Sequence, residues 1–233
     1  MTLLVKTADA GAANGEAGPT LSDQAYLALR SDILSGDIEP GTKLKMEDLQ
    51  RRYEFSSSPL REALNRLAAE QIVTADERRG FRAARISLAD LRDITNFRLI
   101  LEISAFEASM DRGGAEWEAG VISARHMLDD LENMMPAKTR SFDRVWIERH
   151  KSFHIALIAA CGSSRLLGAC SAMFDQSQRY RSLWAKRRPA PRNAGPEHRR
   201  LMEAALRRDK VVGKQILSQH IQKTADQVSE FLS

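Results

Sequence analysis

The sequence predicts a mainly α-helical protein in two parts, and three observations support this fold class. Apolar residues recur at helical spacing through most of the chain. Two short β-prone runs, at 72–74 and 81–83, enclose a turn that ends at Gly80, which predicts a small hairpin. After Ser87 the strand signals disappear. We therefore expect helices and one hairpin first, and an all-helical bundle after them.

Two short helices are expected at the start of the folded chain. One begins near Ser22 and stops at Gly36, because glycine readily ends a helix. A Pro40-Gly41 turn then leads into a second helix after Lys45. Residues 1–18 are rich in alanine and glycine, contain little that could form a core, and are expected to be a disordered arm.

The third helix, SSSPLREALNRLAAE at 56–70, is the element around which the N-terminal part is organised. Ser58 is the expected N-cap and Pro59 the first helical residue. Leucine and alanine repeat at helical spacing on one face. With Arg78 and Arg79 at the hairpin tip, the pattern is a winged helix-turn-helix, so we expect the third helix to enter the DNA major groove.

Charge placement, rather than net charge, supports DNA binding. The chain has a formal charge of +4, yet residues 19–85 contain eleven basic and eleven acidic residues. The polar face of the third helix carries Ser57, Arg61, Asn65 and Arg66. The residues expected to hold phosphates are Lys45, Arg52 and Arg79.

Six helices are expected after Ser87, separated by glycine and proline breaks. Their expected spans are 88–112, 114–135, 140–161, 163–186, 195–208 and 210–232. Cys161 and Cys170 lie in apolar helical patterns without CxxC spacing, which favours buried free thiols. No run approaches the roughly 18 apolar residues that span a bilayer, so we expect a cytoplasmic protein without a membrane partner.

All five histidines lie in the C-terminal part, and four of them have spacings that suggest a metal site. His150 and His154 are one turn apart on one helix, and His198 and His220 come from two later helices. Imidazoles converging inside a bundle can bind a divalent transition metal. The alternative is that each ring caps, packs or faces solvent, as we expect for the fifth, His126.

The phrases PGTKLKMEDLQRRYEFSSSPLREALNRLAAEQIV and RRGFRAA resemble the DNA-binding domain of the GntR family of bacterial transcriptional regulators. The helical remainder resembles the FCD effector domain of the FadR branch, and six helices fit its smaller, VanR-like form. GGAEWEA, WIERHKSFHIAL and ACGSSRLL are similar to regulators of carbon-starvation and glutarate or 4-aminobutyrate operons. The implied division is an arm at 1–18, a winged helix-turn-helix at 19–85 and an FCD domain at 86–233.

By this resemblance, the family's DNA-contacting positions fall on Ser56, Ser57, Ser58 and Arg61, with Gly80 at the wing. Members of the family commonly carry arginine where this chain has Ser57. Serine lacks the fork that reads guanine bidentately, so the family's usual operator is not expected here.

The resemblance also implies a metal site, because FCD domains place a metal on an Asp-x-x-x-His pair and two later histidines. His154, His198 and His220 match three of those positions, and His150 occupies the aspartate position. An all-histidine set favours zinc or nickel over magnesium or calcium.

Arg98, in NFRLILE, has the place of an FCD arginine that often faces the effector pocket. A guanidinium there would bind a metal-bound carboxylate, whereas the alternative is an intrahelical pair with Glu102. Tyr180 and Arg181 are further candidate effector-binding residues.

The predicted function is a homodimeric repressor that binds a palindromic operator in double-stranded DNA. A small carboxylate effector, such as the dicarboxylate glutarate, would control it through the segment from Ala84 to Ser87. One alternative is a metal-dependent hydrolase, but Lys151 stands where the HExxH motif has its glutamate. Another alternative is a structural protein that binds DNA without sequence preference.

Overall fold

The computed structural model describes residues 18–76, 80–136, 143–187 and 193–232. The N-terminal part contains α1 (Leu21–Leu34), β1 (Lys43–Leu44), α2 (Met46–Tyr53), α3 (Ser57–Ala69), β2 (Val73–Asp76) and β3 (Gly80–Ala83). The C-terminal part contains α4 (Leu88–Arg112), α5 (Ala115–Met134), α6 (Arg144–Ile158), α7 (Ser164–Arg187), α8 (Gly195–Leu206) and α9 (Lys210–Leu232). The predicted mainly α fold with a small β element is confirmed.

The hairpin of β2 and β3 is present, and β1 joins it as a third strand that the sequence analysis did not predict. The sheet is antiparallel with the order β1-β3-β2, and Arg82 lies between Lys43 and Thr74. A two-residue strand gives no period-2 pattern, so its pairing with β3 could not be read from the sequence.

Helix α3 begins two residues earlier than predicted. Ser56, with extended backbone angles, is the N-cap, and Pro59 is the third helical residue. The expectation that Ser58 caps the helix is therefore wrong. Pro59 is tolerated because it still lies in the first turn, where backbone N–H groups have no intrahelical acceptor.

The N-terminal core lies between α1 and α3. Leu29 from α1 packs in one apolar cluster with Leu60, Leu64 and Leu67 from α3, and all four are fully buried. Burial of a leucine side chain contributes about 1.5–3 kcal/mol. The polar face of α3 is thereby fixed on the outside.

The helical part has its own larger cluster, which includes Phe106, Trp117, Phe153 and Leu201. Cys161 and Cys170 are buried and free, as predicted. Among the helices that the structure describes, none is long and apolar enough to cross a membrane.

Helix α7 holds the segment that connects the two parts. Arg179 donates hydrogen bonds to the carbonyl groups of Ala84 and Arg85. The backbone N–H of Ser87 donates to the hydroxyl of Tyr180 over 3.2 Å. The connection is therefore fixed by side chains of a bundle helix.

Candidate DNA interface and candidate metal centre

The outer face of α3 presents the polar residues that the sequence singled out. Ser56, Ser57, Ser58, Arg61 and Asn65 are all exposed. Within the described ranges, no ion pair or hydrogen bond engages Arg61 or Asn65. Both side chains are therefore accessible to an external partner.

Arg66 lies on the same helix but is held by its own protein. Its guanidinium donates to Asp23 over 2.8 Å and lies 4.1 Å from the centre of the Tyr26 ring. Arg66 therefore ties α3 to α1, whereas Arg61 does not.

The other predicted DNA contacts differ in their surroundings. Lys45 is exposed at the N-cap of α2, and Gly80 is exposed with φ of +76°. The guanidinium of Arg52 donates to Asp32, although its side chain is still 46% exposed. Arg79 lies outside the described residues.

The structure brings the four predicted metal ligands together in the bundle core. His150 and His154 come from α6, His198 from α8 and His220 from α9, and all four are buried. One ring nitrogen from each lies within 4.8 Å of the others. The Nε2 atom of His150 is 3.2 Å from the Nε2 atoms of both His154 and His198. Nitrogens bound to one zinc at about 2.1 Å lie roughly 3–4 Å apart, so the two 3.2 Å separations fit one ion. A pair near the 4.8 Å limit of the set would have to move closer together as the ion binds.

Glu197 orients one of these rings. The Nδ1 atom of His220 lies 2.9 Å from a carboxylate oxygen of Glu197, which also accepts from Lys223. A carboxylate accepts only, so Nδ1 carries the proton and Nε2 presents its lone pair. Metal-binding histidines commonly have this second contact.

His150 has a different partner at its second nitrogen. The guanidinium of Arg181 lies 3.1 Å from Nδ1 of His150. Because guanidinium only donates, Nδ1 is an acceptor and a neutral ring carries its proton on Nε2. His150 can therefore offer Nε2 to a metal only after Arg181 transfers its hydrogen bond to another acceptor.

His150 and His154 are neutral in this environment. Burial, followed by the charge of Arg181, holds the pKa of His150 well below its ordinary value. Burial and then the neighbouring histidines lower the pKa of His154 in the same way. Neutral imidazole is the ligand form of histidine, so proton loss would not oppose metal binding at these two positions.

Aromatic rings pack against the buried histidines. Trp146 stacks on His150 with ring centres 4.4 Å apart, and its indole N–H donates to Glu132. Phe174 lies 5.3 Å from the ring centres of both His150 and His154.

Two buried arginines lie beside the histidines. Arg98 donates to Glu102 over 2.6 Å and to Ser177 over 3.0 Å, so the intrahelical pair is present. Burial, followed by the nearby charge of Arg98, lowers the pKa of Arg181 to about 9. Among the described residues, no acceptor bonds the Nε and Nη2 groups of Arg181. Arg98 thus has Glu102 as its ion-pair partner, whereas Arg181 has no ion pair among the described residues. A negatively charged ligand would supply one.

Tyr180 lines the same small cavity as Arg98 and Arg181. Its hydroxyl donates to Asp90 and accepts from the backbone N–H of Ser87. Its contacts therefore connect the cavity to the segment between the two parts. His126, which we expected at the surface, has a side chain that is 74% exposed.

Sequence reasoning missed three residues of this region, namely Trp146, Glu197 and Asp32. Glu197 immediately precedes His198, but its partner is His220 on another helix. Trp146 precedes His150 by four residues, which is a one-turn spacing that could have indicated a ring contact. Asp32 belongs to a contact between the two parts, for which the sequence carries no local signal.

Two family matches cover most of the chain. Residues 21–82 match the family described as "Bacterial regulatory proteins, gntR family". Residues 93–223 match the FCD domain.

Two relatives are similar along most of their length. The HTH-type transcriptional regulator BphR of Paraburkholderia xenovorans is 37% identical over 91% of this chain and 86% of its own. The HTH-type transcriptional repressor GlaR of Escherichia coli is 36% identical over 84% of this chain and 90% of its own.

Two solved structures are similar in fold. E. coli McbR/YncC aligns with a TM-score of 0.76 at 16% identity, over 92% of this chain and 99% of its own. A GntR family member from Pseudomonas syringae aligns with a TM-score of 0.54 at 21% identity, over 91% of this chain and 86% of its own.

Proposed function

The chain belongs to the GntR family and carries an FCD domain, so it is a DNA-binding transcriptional regulator rather than an enzyme, and we propose that a small carboxylate effector bound at a metal site controls its operator binding. The proposed protein is a homodimeric repressor with a palindromic operator. The buried four-histidine cluster is the observation that carries the proposal.

The histidines fit a divalent transition metal, with zinc or nickel as the proposed ions. His154, His198 and His220 would hold it, and His150 would join them once Arg181 releases its Nδ1 atom. A bound ion would supply a coordination position for one carboxylate oxygen. The chain's own arginines would bind the rest of the effector.

Arg181 supports the choice of an anionic effector. Its Nε and Nη2 groups are buried donors without an acceptor among the described residues. Asp175 acts on its charge, but that carboxylate is already held by Arg30 and Lys151. A second carboxylate on the effector would supply both the acceptor and the charge, which favours a dicarboxylate such as glutarate.

At the DNA surface, Ser57, Arg61 and Asn65 are the proposed base-reading residues, with Ser56 and Ser58 beside them. Lys45, Arg52, Arg79 and Gly80 are the proposed contacts to the DNA backbone. The division into an arm at 1–18, a winged helix-turn-helix at 19–85 and an FCD domain at 86–233 is part of the proposal. Two separate apolar clusters support the division between the second and third segments. Residues 1–17 of the proposed arm lie outside the described residues.

The DNA assignment is tested with duplexes selected by the wild-type protein from a random pool. Arg61→Ala is expected to weaken binding to the selected duplex by about 5–150-fold, because a bidentate base contact contributes about 1–3 kcal/mol. Arg66→Ala is the matched control, since Arg66 is held by Asp23 and Tyr26. Equal binding by wild type and Arg61→Ala would reject the assignment of α3. A wild-type protein that selects no preferred sequence would favour a structural DNA-binding role.

The metal and effector are tested separately from the DNA surface. We expect elemental analysis of the purified protein to find zinc or nickel, and His154→Ala with His220→Ala to lose it. Glutarate and other C4 to C6 dicarboxylates should release the wild-type protein from its selected duplex, but not after treatment with a chelator. If the dicarboxylates release the protein from its duplex equally well after chelator treatment, the proposed metal site is rejected and the DNA assignment stays intact.

A further inference from the structure

A buried carboxylate on α1 joins the DNA-binding part to the metal-bearing helix. Asp32 is only 3% exposed. One of its oxygens accepts from Arg52 and from the hydroxyl of Tyr53, both on α2. Its other oxygen accepts from Arg144, the first residue of α6. Asp32 therefore holds two arginines that come from different parts of the chain.

Arg144 and the metal-site histidines move as one unit if α6 moves as a rigid body. His150 and His154 follow Arg144 by six and ten residues on the same helix. At 1.5 Å per residue, these separations are about 9 and 15 Å. A shift of α6 caused by occupancy of the histidine cluster would therefore change the contact between Arg144 and Asp32.

Arg52 is the residue that such a change would affect. It lies in the last turn of α2, the helix that precedes the recognition helix, and its side chain is 46% exposed. In helix-turn-helix proteins the helix before the recognition helix crosses the DNA backbone, where an arginine can bind a phosphate. In this structure Arg52 is paired with Asp32 instead.

A buried carboxylate is destabilised strongly when it loses its last positive partner. Within the part of the chain that the structure describes, Arg52 and Arg144 are the cations paired with Asp32. While Arg144 stays in place, Arg52 can leave and Asp32 keeps one cation. Without Arg144, departure of Arg52 would leave Asp32 uncompensated.

We infer that Arg144 is a positioning residue for DNA binding: by neutralising Asp32 it frees Arg52 to bind a DNA phosphate, so that the position of α6 sets the affinity for DNA. The inference rests on the proposed role of Arg52 at the DNA backbone and goes beyond it. It assigns a function to a contact between the two parts that neither the histidines nor the recognition helix includes.

The chain offers a matched control for simple loss of contact between the two parts. Lys186 on α7 donates to Asp37 over 2.7 Å, and Arg144 also donates to Asp37 over 2.9 Å. Lys186→Gln therefore removes a cation from the same interface while Arg144 remains available to Asp32. A general loosening of the interface would act in both variants, whereas release of Arg52 depends on Arg144 alone.

The experiment measures affinity for a duplex selected by the wild-type protein, over a series of salt concentrations. Arg52→Gln is expected to weaken binding about 3–10-fold and to lower the slope of log affinity against log salt by about 1, as for one lost phosphate contact. Arg144→Gln should produce the same two changes, and Lys186→Gln should leave the slope unchanged. Once its unfolding transition shows a folded protein, the double variant Arg52→Gln/Arg144→Gln should bind no more weakly than Arg52→Gln.

Asp32→Asn provides a second line of evidence, provided that its unfolding transition shows a folded protein. Since it removes the charge that retains Arg52, Asp32→Asn/Arg144→Gln should recover the wild-type slope. If Asp32→Asn does not fold, the comparison of the arginine variants decides alone.

Additive losses in Arg52→Gln/Arg144→Gln would show that Arg144 contacts DNA itself and would overturn the inference. Equal effects of Arg144→Gln and Lys186→Gln would also overturn it. No effect of Arg52→Gln on DNA affinity, with Arg61→Ala still impaired, would reject the inference and the proposed phosphate contact of Arg52, and would leave the assignment of α3 and of the metal site intact.

Discussion

The Nδ1 atom of His220 lies 2.9 Å from a carboxylate oxygen of Glu197, and this contact determines which nitrogen faces the other histidines. The two residues lie on α9 and α8, so the contact also ties together two of the three helices that supply the cluster. A ring held in this way loses little freedom when it binds an ion, and the negative charge makes it a better ligand.

We predict that Glu197→Gln weakens zinc binding about 10–100-fold, which is typical when a histidine ligand loses its carboxylate partner. The amide oxygen still accepts from Nδ1 but carries no charge. Zinc affinity is measured by competition with a chromogenic chelator. Glu203→Gln is the control, because Glu203 is exposed on the same helix. Unchanged zinc affinity in Glu197→Gln would show that the contact does not support a metal ligand.

We predict that Arg181→Met raises the stability of the effector-free protein and removes its response to the effector. Burial lowers the pKa of Arg181 to about 9, well below its ordinary 12.5, so the charge opposes folding at neutral pH. Replacing it with an apolar side chain of similar length should stabilise the effector-free protein by about 1 kcal/mol, after loss of the hydrogen bond to His150. The stabilisation should shrink as the pH rises through 9, because the wild-type guanidinium then loses its charge in the folded state.

Thermal unfolding of both proteins at several pH values, with and without glutarate, measures these effects. Wild type should be stabilised by glutarate in the presence of zinc, whereas Arg181→Met should not respond. A variant that unfolds more easily than wild type by over about 2 kcal/mol would contradict the idea of an uncompensated charge. A full response to glutarate would remove Arg181 from the effector site.

The two cysteines should be unreactive in the folded protein. Burial raises the pKa of Cys170 to about 12, so its thiolate fraction is very small at pH 8. Cys161 is buried as well. We predict that Ellman's reagent modifies neither thiol at pH 8 and both after unfolding in guanidinium chloride. Fast reaction of one thiol under native conditions would show local opening of α6 and α7 near their connection.

Local patterns predicted the helices well because each amphipathic helix buries one face. The spans expected for α4 and α9 agree with the structure, and Leu60, Leu64 and Leu67 are buried as the spacing of α3 required. The four histidines were also identified, since two of them share a helical face and the resemblance supplied the other positions.

Contacts between distant segments were not predictable in the same way. Arg144 reaches Asp32 across 112 positions, and Glu197 selects His220 rather than the adjacent His198. Both pairs depend on how whole helices dock, which no sequence spacing encodes. The N-cap of α3 was predicted wrongly for a local reason. The three consecutive serines Ser56, Ser57 and Ser58 are each suitable N-caps, and the backbone selects the first.

Ser57→Arg should change which operator the protein prefers. Ser57 is the first residue of α3 and is exposed, so a longer side chain meets no packed neighbour and can extend from the helix N-terminus. Arginine binds the O6 and N7 atoms of guanine through two hydrogen bonds, and such a pair discriminates against other bases by about 1–3 kcal/mol. Selection from a random pool should therefore enrich a new guanine, symmetrically placed in both half-sites, about 5–150-fold over the wild-type result. Ser57→Ala should select the wild-type sequence, because it adds no donor. If Ser57→Arg selected that same sequence without a new guanine, the first turn of α3 would not face the bases.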